Sequence, residues 1–308
     1  MRIGALLAGA FDNQSRTISA ALVLLLLACA APVFNWPRAT YDYIVVFDIT
    51  QSMNVEDYRS NDSPASRFAY AREATRRALR DLPCGSRVGW GAFAEYRALL
   101  LLAPIEVCAN YDDLLASLDK IDGRMRWGDA SEVSKGVLWS IRAAKETSGH
   151  PNVIFLSDGH EAPPLGPGDR PVFDDVKPGD VHGWLMGVGG YTPKPIPRTD
   201  EEGKVIGYWR AEDVIQVDSG LDDGTASREH LSTLRERHLR ALAERVGFEY
   251  ARLIGPESIS EAMRDPRFAR ARPVPIDLYW VPVAAALLLL VICFRPDVRR
   301  GSANGTDG

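Results

Sequence analysis

Net positive charge, cysteine and histidine are all scarce in this chain of 308 residues. Its 36 Lys and Arg are outnumbered by 41 Asp and Glu and are scattered, so the electrostatic footprint of a nucleic-acid binder is missing. There is no Gly-rich phosphate loop of the P-loop or dinucleotide type. His160-Glu161 begins like a zinc-protease helix, but no second His follows and Pro163 and Pro164 forbid a helix there. Asp48-Ile49-Thr50 lacks the second aspartate of a dehalogenase-type phosphatase, and Ser52 has no His partner close in sequence. The five His read as surface or hydrogen-bonding groups. Internal repeats and low-complexity tracts are absent. These omissions favour a protein that is not an enzyme.

The composition, 46% hydrophobic and 25% charged, is that of a globular protein with a buried core. Two apolar runs without charge stand apart, Ile18 to Phe34 and Leu278 to Phe294. Each is near the lower length limit for a helix crossing the hydrocarbon layer, and Tyr279 and Trp280 suit an interfacial aromatic belt. A core helix would show a polar stripe, which the second run lacks. The organisation expected is therefore a cytoplasmic tail (1–16), a transmembrane helix or signal anchor (17–34), a domain (38–256), a linker (257–276), a second transmembrane helix (277–294) and a second tail (295–308). Arg2, Arg16, Arg295, Arg299 and Arg300 place both tails in the cytoplasm by the positive-inside rule. The bulk of the chain then faces the periplasm from a bacterial inner membrane. Ala28-Cys29-Ala30 also resembles a signal-peptidase site and Leu26 to Cys29 a lipoprotein box, so cleavage of the first run stays open.

Between the runs, residues 43–47 form a strand buried on both faces, a polar loop covers 48–65, and 66–82 has the apolar spacing of a helix. Residues 87–94 and 97–102 read as a hairpin turning at Glu95-Tyr96. Helices are expected at 111–121 and 133–147, buried strands at 152–156 and 181–188, and a small hairpin at 199–208 around Glu202-Gly203. A helix at 228–246 and a strand at 248–253 close the domain. The alternation implies an α/β fold: a doubly wound, mostly parallel sheet with one antiparallel edge strand. Cys84 and Cys108 lie at the outer ends of the first hairpin, nearly equidistant from its turn, and in an exported domain they are expected to form a disulfide.

The chemistry concentrates after the buried strands. Asp48, Thr50 and Ser52 follow the first, Asp158 in Ser157-Asp158-Gly159 follows the second, and Ser131 precedes a helix. Ligands collect at the carboxyl ends of strands in open α/β sheets. Hard oxygens there suit magnesium, manganese or calcium. Asp48 and Ser52 as plain helix caps are less favoured, because the next helix starts well beyond them.

These residues resemble the von Willebrand factor A-type (VWA) family, whose metal-ion-dependent adhesion site (MIDAS) reads D-x-S-x-S, then a Thr, then an Asp in a D-G pair. Asp48, Thr50 and Ser52 match the first element with Thr for Ser, Asp158 matches the third, and Ser131 stands where the Thr would be, five residues before the small Gly136. The likeness runs from about Tyr41 to Leu253. Gly187-Val188-Gly189, the Pro193 to Pro197 segment, Asp200 to Gly203 and Gly247-Phe248-Glu249-Tyr250 are similar to membrane VWA proteins that work with MoxR-type AAA ATPases. Asp48 to Met53 is most similar to the members encoded with methanol dehydrogenase. The resemblance implies a Mg, Mn or Ca ion held by Asp48, Thr50, Ser52, Ser131 and Asp158. It also implies a periplasmic or membrane partner supplying an Asp or Glu to that ion, and a role in assembly or maturation, with calcium insertion into methanol dehydrogenase as the specific instance. A metal-dependent hydrolase using the same rim is the alternative.

Overall fold

The computed structural model describes residues 3–30, 34–60, 62–165, 175–215, 228–276 and 278–295. The chain divides into two compact units, Arg38–Arg272 and a smaller one formed by the two ends. In the larger unit six strands form one sheet: β1 (Asp42–Asp48), β2 (Arg87–Ala94), β3 (Arg97–Glu106), β4 (Asn152–Ser157), β5 (Gly183–Gly187) and β6 (Glu249–Arg252). Their spatial order is β6-β5-β4-β1-β2-β3, and every neighbouring pair is parallel except β2 with β3. The expected α/β sheet with one antiparallel edge is the observed one.

Strand side chains alternate between faces, and β1 uses both. Tyr43, Val45 and Phe47 enter one core with Phe68, Leu79, Leu114 and Met263, while Ile44 and Val46 enter the other with Val137, Ile141, Leu239 and Val246. The helices that cover the first face are α1 (Arg67–Asp81) and α2 (Tyr111–Leu118); α3 (Val133–Glu146) and α4 (Glu236–Val246) cover the second. Ser66 caps α1, its hydroxyl accepting from Ala69 N–H at 3.1 Å. Gly136 in α3 lies where a Cβ would sit 2.3 Å from the Phe93 ring, so only glycine lets this helix reach the sheet.

Four sequence expectations need correction. The stretch 228–246 is helical only from Glu236, because Leu231–Ser232 pairs as a short strand with Lys194–Pro195 and Leu234 N–H is taken by Gly190 C=O. The polar segment after β1 is not plain loop but a 3-10 turn (Gln51–Asn54) and a hairpin of Glu56–Ser60 with Ser63–Ser66. Residues 257–276, read as a linker, carry helix α5 (Ser258–Met263) and strand Arg270–Ile276. Ile259 and Met263 are buried in the core, and Arg272 pairs with both oxygens of Asp42 at 3.0 and 2.8 Å. A six-residue helix is too short to show an apolar period.

The fourth correction concerns the ends, where helices Ile3–Cys29 and Trp280–Cys293 pack on each other. Among the described residues no helix is long and apolar enough to cross a membrane. The second, at 14 residues, is only ~21 Å long against a hydrocarbon core of ~30 Å. Arg2, Arg299 and Arg300, on which the orientation argument leans, lie outside the described residues.

Cys84 and Cys108 are joined by a disulfide with Cα atoms 5.2 Å apart. The strand register does not put them opposite each other. Two bulges add residues to β3, so Arg87 pairs with Glu106 at the open end of the hairpin. Gly89 lies at the first bulge, where a Cβ would be 2.4 Å from the Leu102 carbonyl oxygen. Cys84 instead reaches Cys108 from the turn closed by Ser86 N–H on Pro83 C=O, and the Glu106 carboxylate accepts from Gly85 N–H at 2.6 Å and Ala109 N–H at 2.5 Å. Non-reducing mass spectrometry of the full chain should recover a Cys84–Cys108 peptide, and Cys84→Ser with Cys108→Ser should cost about 3 kcal/mol in urea unfolding. Free thiols in oxidised protein would refute the bond.

Candidate functional site

Strands β1 and β4 are adjacent and parallel, with Phe47 level with Leu156, so the residues after each leave at the same sheet edge. The strand order reverses between these two strands, which is where open α/β sheets bind ligands. Asp48 and Asp158 are both fully buried there.

Each carboxylate is held from its own loop. Asp48 Oδ1 accepts from Thr50 N–H at 2.9 Å and from the Thr50 hydroxyl at 2.6 Å, and its Oδ2 accepts from the Ser157 hydroxyl at 2.7 Å. Asp158 Oδ1 accepts from the Ser52 hydroxyl at 3.2 Å and His160 N–H at 3.0 Å. The Thr50 and Ser52 oxygens are 3.3 Å apart. When both hydroxyl protons are committed to the carboxylates, that contact sets lone pair against lone pair.

Ser131 belongs to the same rim. Its backbone exchanges two hydrogen bonds of 2.7 Å with Ala162, which ties its loop to the segment after β4. Its buried Oγ finds no hydrogen-bond partner among the described residues. Thr50, Ser52, Ser131 and His160 line a pocket of about 200 Å³ together with Ile196, Trp209 and Ile215. Asp48 and Asp158, fully buried and in contact with Thr50 and Ser52, are not among the lining residues.

Burial, then the neighbouring Asp158 carboxylate, pushes the Asp48 pKa up to about 7. Burial works against charge on Asp158 too, but the Arg67 guanidinium, with help from His160 and the Ser232 hydroxyl, outweighs it and holds Asp158 below the usual carboxylate range. Burial keeps the His160 imidazole below its ordinary value. Two buried carboxyl groups beside three hydroxyl oxygens are the hard donors that a divalent cation takes. The residues present fit such an ion, and Asp48, Thr50, Ser52, Ser131 and Asp158 are those that would hold it. No cluster of three or more His, Cys, Asp or Glu occurs among the described residues, so the fit rests on hydroxyls.

Sequence reasoning missed four contributors. Arg67 and Ser232 grip Asp158 Oδ2 at 2.5 and 2.8 Å. Gln51 bridges the rim to the 197–208 hairpin, its Oε1 accepting from Thr199 N–H and Trp209 Nε1 and its Nε2 donating to Asp129. Glu161 accepts from Ser134 N–H at 2.9 Å and its hydroxyl at 2.8 Å, capping the helix that follows Ser131. Only Gln51 and Glu161 carried a signal, through their places inside the two motif loops.

Residues 43–160 match the family model of the von Willebrand factor type A domain. A UPF0353 protein of Mycobacterium sp. (strain KMS) is 28% identical over 163 residues, 49% of this chain and 44% of its own, as are those of strains JLS and MCS. The chain thus spans under half the length of these relatives. Among solved structures, an aerotolerance-related membrane protein from Bacteroides fragilis NCTC 9343 is 17% identical, covers 72% of this chain and 96% of its own, and has a TM-score of 0.47. A von Willebrand factor type A protein from Catenulispora acidiphila is 14% identical, with 73% and 41% covered and a TM-score of 0.41.

The raised Asp48 value gives a pH signature. Because the folded value exceeds the unfolded one of ~3.9, protonated Asp48 stabilises the metal-free fold below that pH, and the contribution is lost as pH rises through about 7. With chelator present, wild type should lose urea resistance between pH 5 and 8 relative to Asp48→Asn. Parallel pH profiles for the two proteins would contradict the assignment.

Proposed function

Taking the chain as one that contains a VWA domain, we propose that it docks a partner protein through a divalent cation at the rim formed by Asp48, Thr50, Ser52, Ser131 and Asp158. The supporting observation is the convergence of hydroxyls beside two buried carboxyl groups. The Thr50 and Ser52 hydroxyls contact Asp48 and Asp158 at 2.6 and 3.2 Å, and both residues line one pocket together with Ser131. A bound magnesium, manganese or calcium ion supplies an open coordination position that an Asp or Glu of a partner can fill. The chain's own residues set the charge of the site and shield it from water. Asp48 and Asp158 are both buried, which favours a docking device over a hydrolase that would use either as a general base.

Although no described helix is long and apolar enough to cross a membrane, the exposed apolar faces of the end helices, including Leu22, Leu26, Leu287 and Leu288, support attachment to one. The disulfide supports placing the domain on the periplasmic side. In this reading the chain assists assembly or maturation of its partner, in a system with a MoxR-type ATPase, and methanol dehydrogenase is the specific candidate partner from the likeness of Asp48 to Met53.

Two measurements test this. Calorimetry on the full chain in detergent should show binding of magnesium, manganese or calcium, weakened at least ~10-fold in Asp48→Ala. Equal affinity in both proteins would remove the site. Alkaline carbonate washing should leave the chain in the membrane pellet, and its release would remove the anchor.

A further inference from the structure

Arg67 opens helix α1 and its side chain is 0% exposed. Its Nη1 donates to Asp158 Oδ2 at 2.5 Å and to the Ser232 hydroxyl at 2.6 Å. Its Nε and Nη2 donate to Asp57 Oδ2 at 3.0 and 2.8 Å, and Asp57 Oδ2 also accepts from Gly190 N–H. Gly189 leaves it room, since a Cβ there would be 2.8 Å from Arg67 Nε. One guanidinium thus ties together the loop after β4, the hairpin after β1, the turn after β5 and the short strand Leu231–Ser232.

The two oxygens of Asp158 face different ways. Oδ1 meets Ser52 and His160 N–H on the rim side, and Oδ2 meets Arg67 and Ser232 behind it. A cation at the rim and the guanidinium behind can therefore serve the same carboxylate from opposite sides. Buried charge must be paired, and removing one partner of a buried pair leaves an uncompensated ion.

We infer that Arg67 is a resident cation that compensates Asp158 and Asp57 when no metal is bound, so that the fold does not depend on the metal. The inference rests on the metal-docking reading above. It makes Arg67 a positioning residue: the rim stays assembled while metal and partner come and go, unlike small metal sites whose binding energy is folding energy. Without Arg67 that burden passes to the metal, and stability and metal occupancy become strongly coupled.

The test is thermal unfolding of the full chain in detergent, in chelator and in saturating magnesium, with calorimetry of magnesium binding to wild type. Wild type should unfold at nearly the same temperature in both, apart from the few degrees that ligand binding itself adds. Arg67→Met should fall by ~10 °C in chelator and regain most of it in magnesium. Arg67→Lys, which keeps the charge, should show a magnesium gain between those of wild type and Arg67→Met. A gain in Arg67→Met no larger than in wild type overturns the inference, as does wild type that unfolds on chelation. Should Arg67→Met fail to fold in either condition, Arg67→Lys decides: a gain above that of wild type supports the inference, and an equal gain overturns it. Wild type that binds no magnesium removes the docking reading and this inference with it. Magnesium binding with equal gains removes the inference alone.

Discussion

Two carboxyl groups stand at the same end of neighbouring parallel strands, and both are fully buried. Most of the domain's polar architecture answers that single electrostatic problem. Thr50, Ser52 and Ser157 donate hydroxyl protons, His160 donates a backbone N–H, and Arg67 brings a full positive charge from the next helix. On the rim side Ser131 Oγ is without a hydrogen-bond partner among the described residues, and burial pushes the Asp48 pKa up to about 7. The divalent cation proposed above would answer the rest.

The parts of the fold legible in the sequence are those with a period or a run. Strands β1 and β4 read as short apolar blocks, and α1 read from Phe68, Ala71, Leu79 and Leu82. The oxygen donors were legible because they follow the blocks directly. Arg67 was not, since in a helix with several arginines nothing in its neighbours marks one as buried. Ser232 was hidden inside a segment whose polar spacing suits a helix, and its pairing with Lys194 and its bonds to Asp158 and Arg67 hold it extended. The segment 257–276 looked like a linker because its contacts, such as Arg272 with Asp42, join residues 230 apart in sequence.

The hairpin of β2 and β3 shows how a correct pairing can follow from incomplete geometry. Counting from the turn places Cys84 and Cys108 nearly opposite, but two bulges shift the ladder before it reaches them. The cross-link is made by the turn before β2, which swings Cys84 within range. Loop chemistry, not strand register, sets that distance.

Gln51 alternates in sequence with the two hydroxyl donors, Thr50 and Ser52, yet its amide is spent on the far side of the pocket. It grips Thr199 and Trp209 with one end and Asp129 with the other. Two segments distant in the chain, the 197–208 hairpin and the loop of Asp129, are thereby fastened to a single backbone turn. The hairpin they include carries Val205, Ile206 and Tyr208 outward, each more than half exposed. The turn that carries the rim hydroxyls is therefore also the mooring of an exposed apolar surface, and whatever meets one lies close to the other.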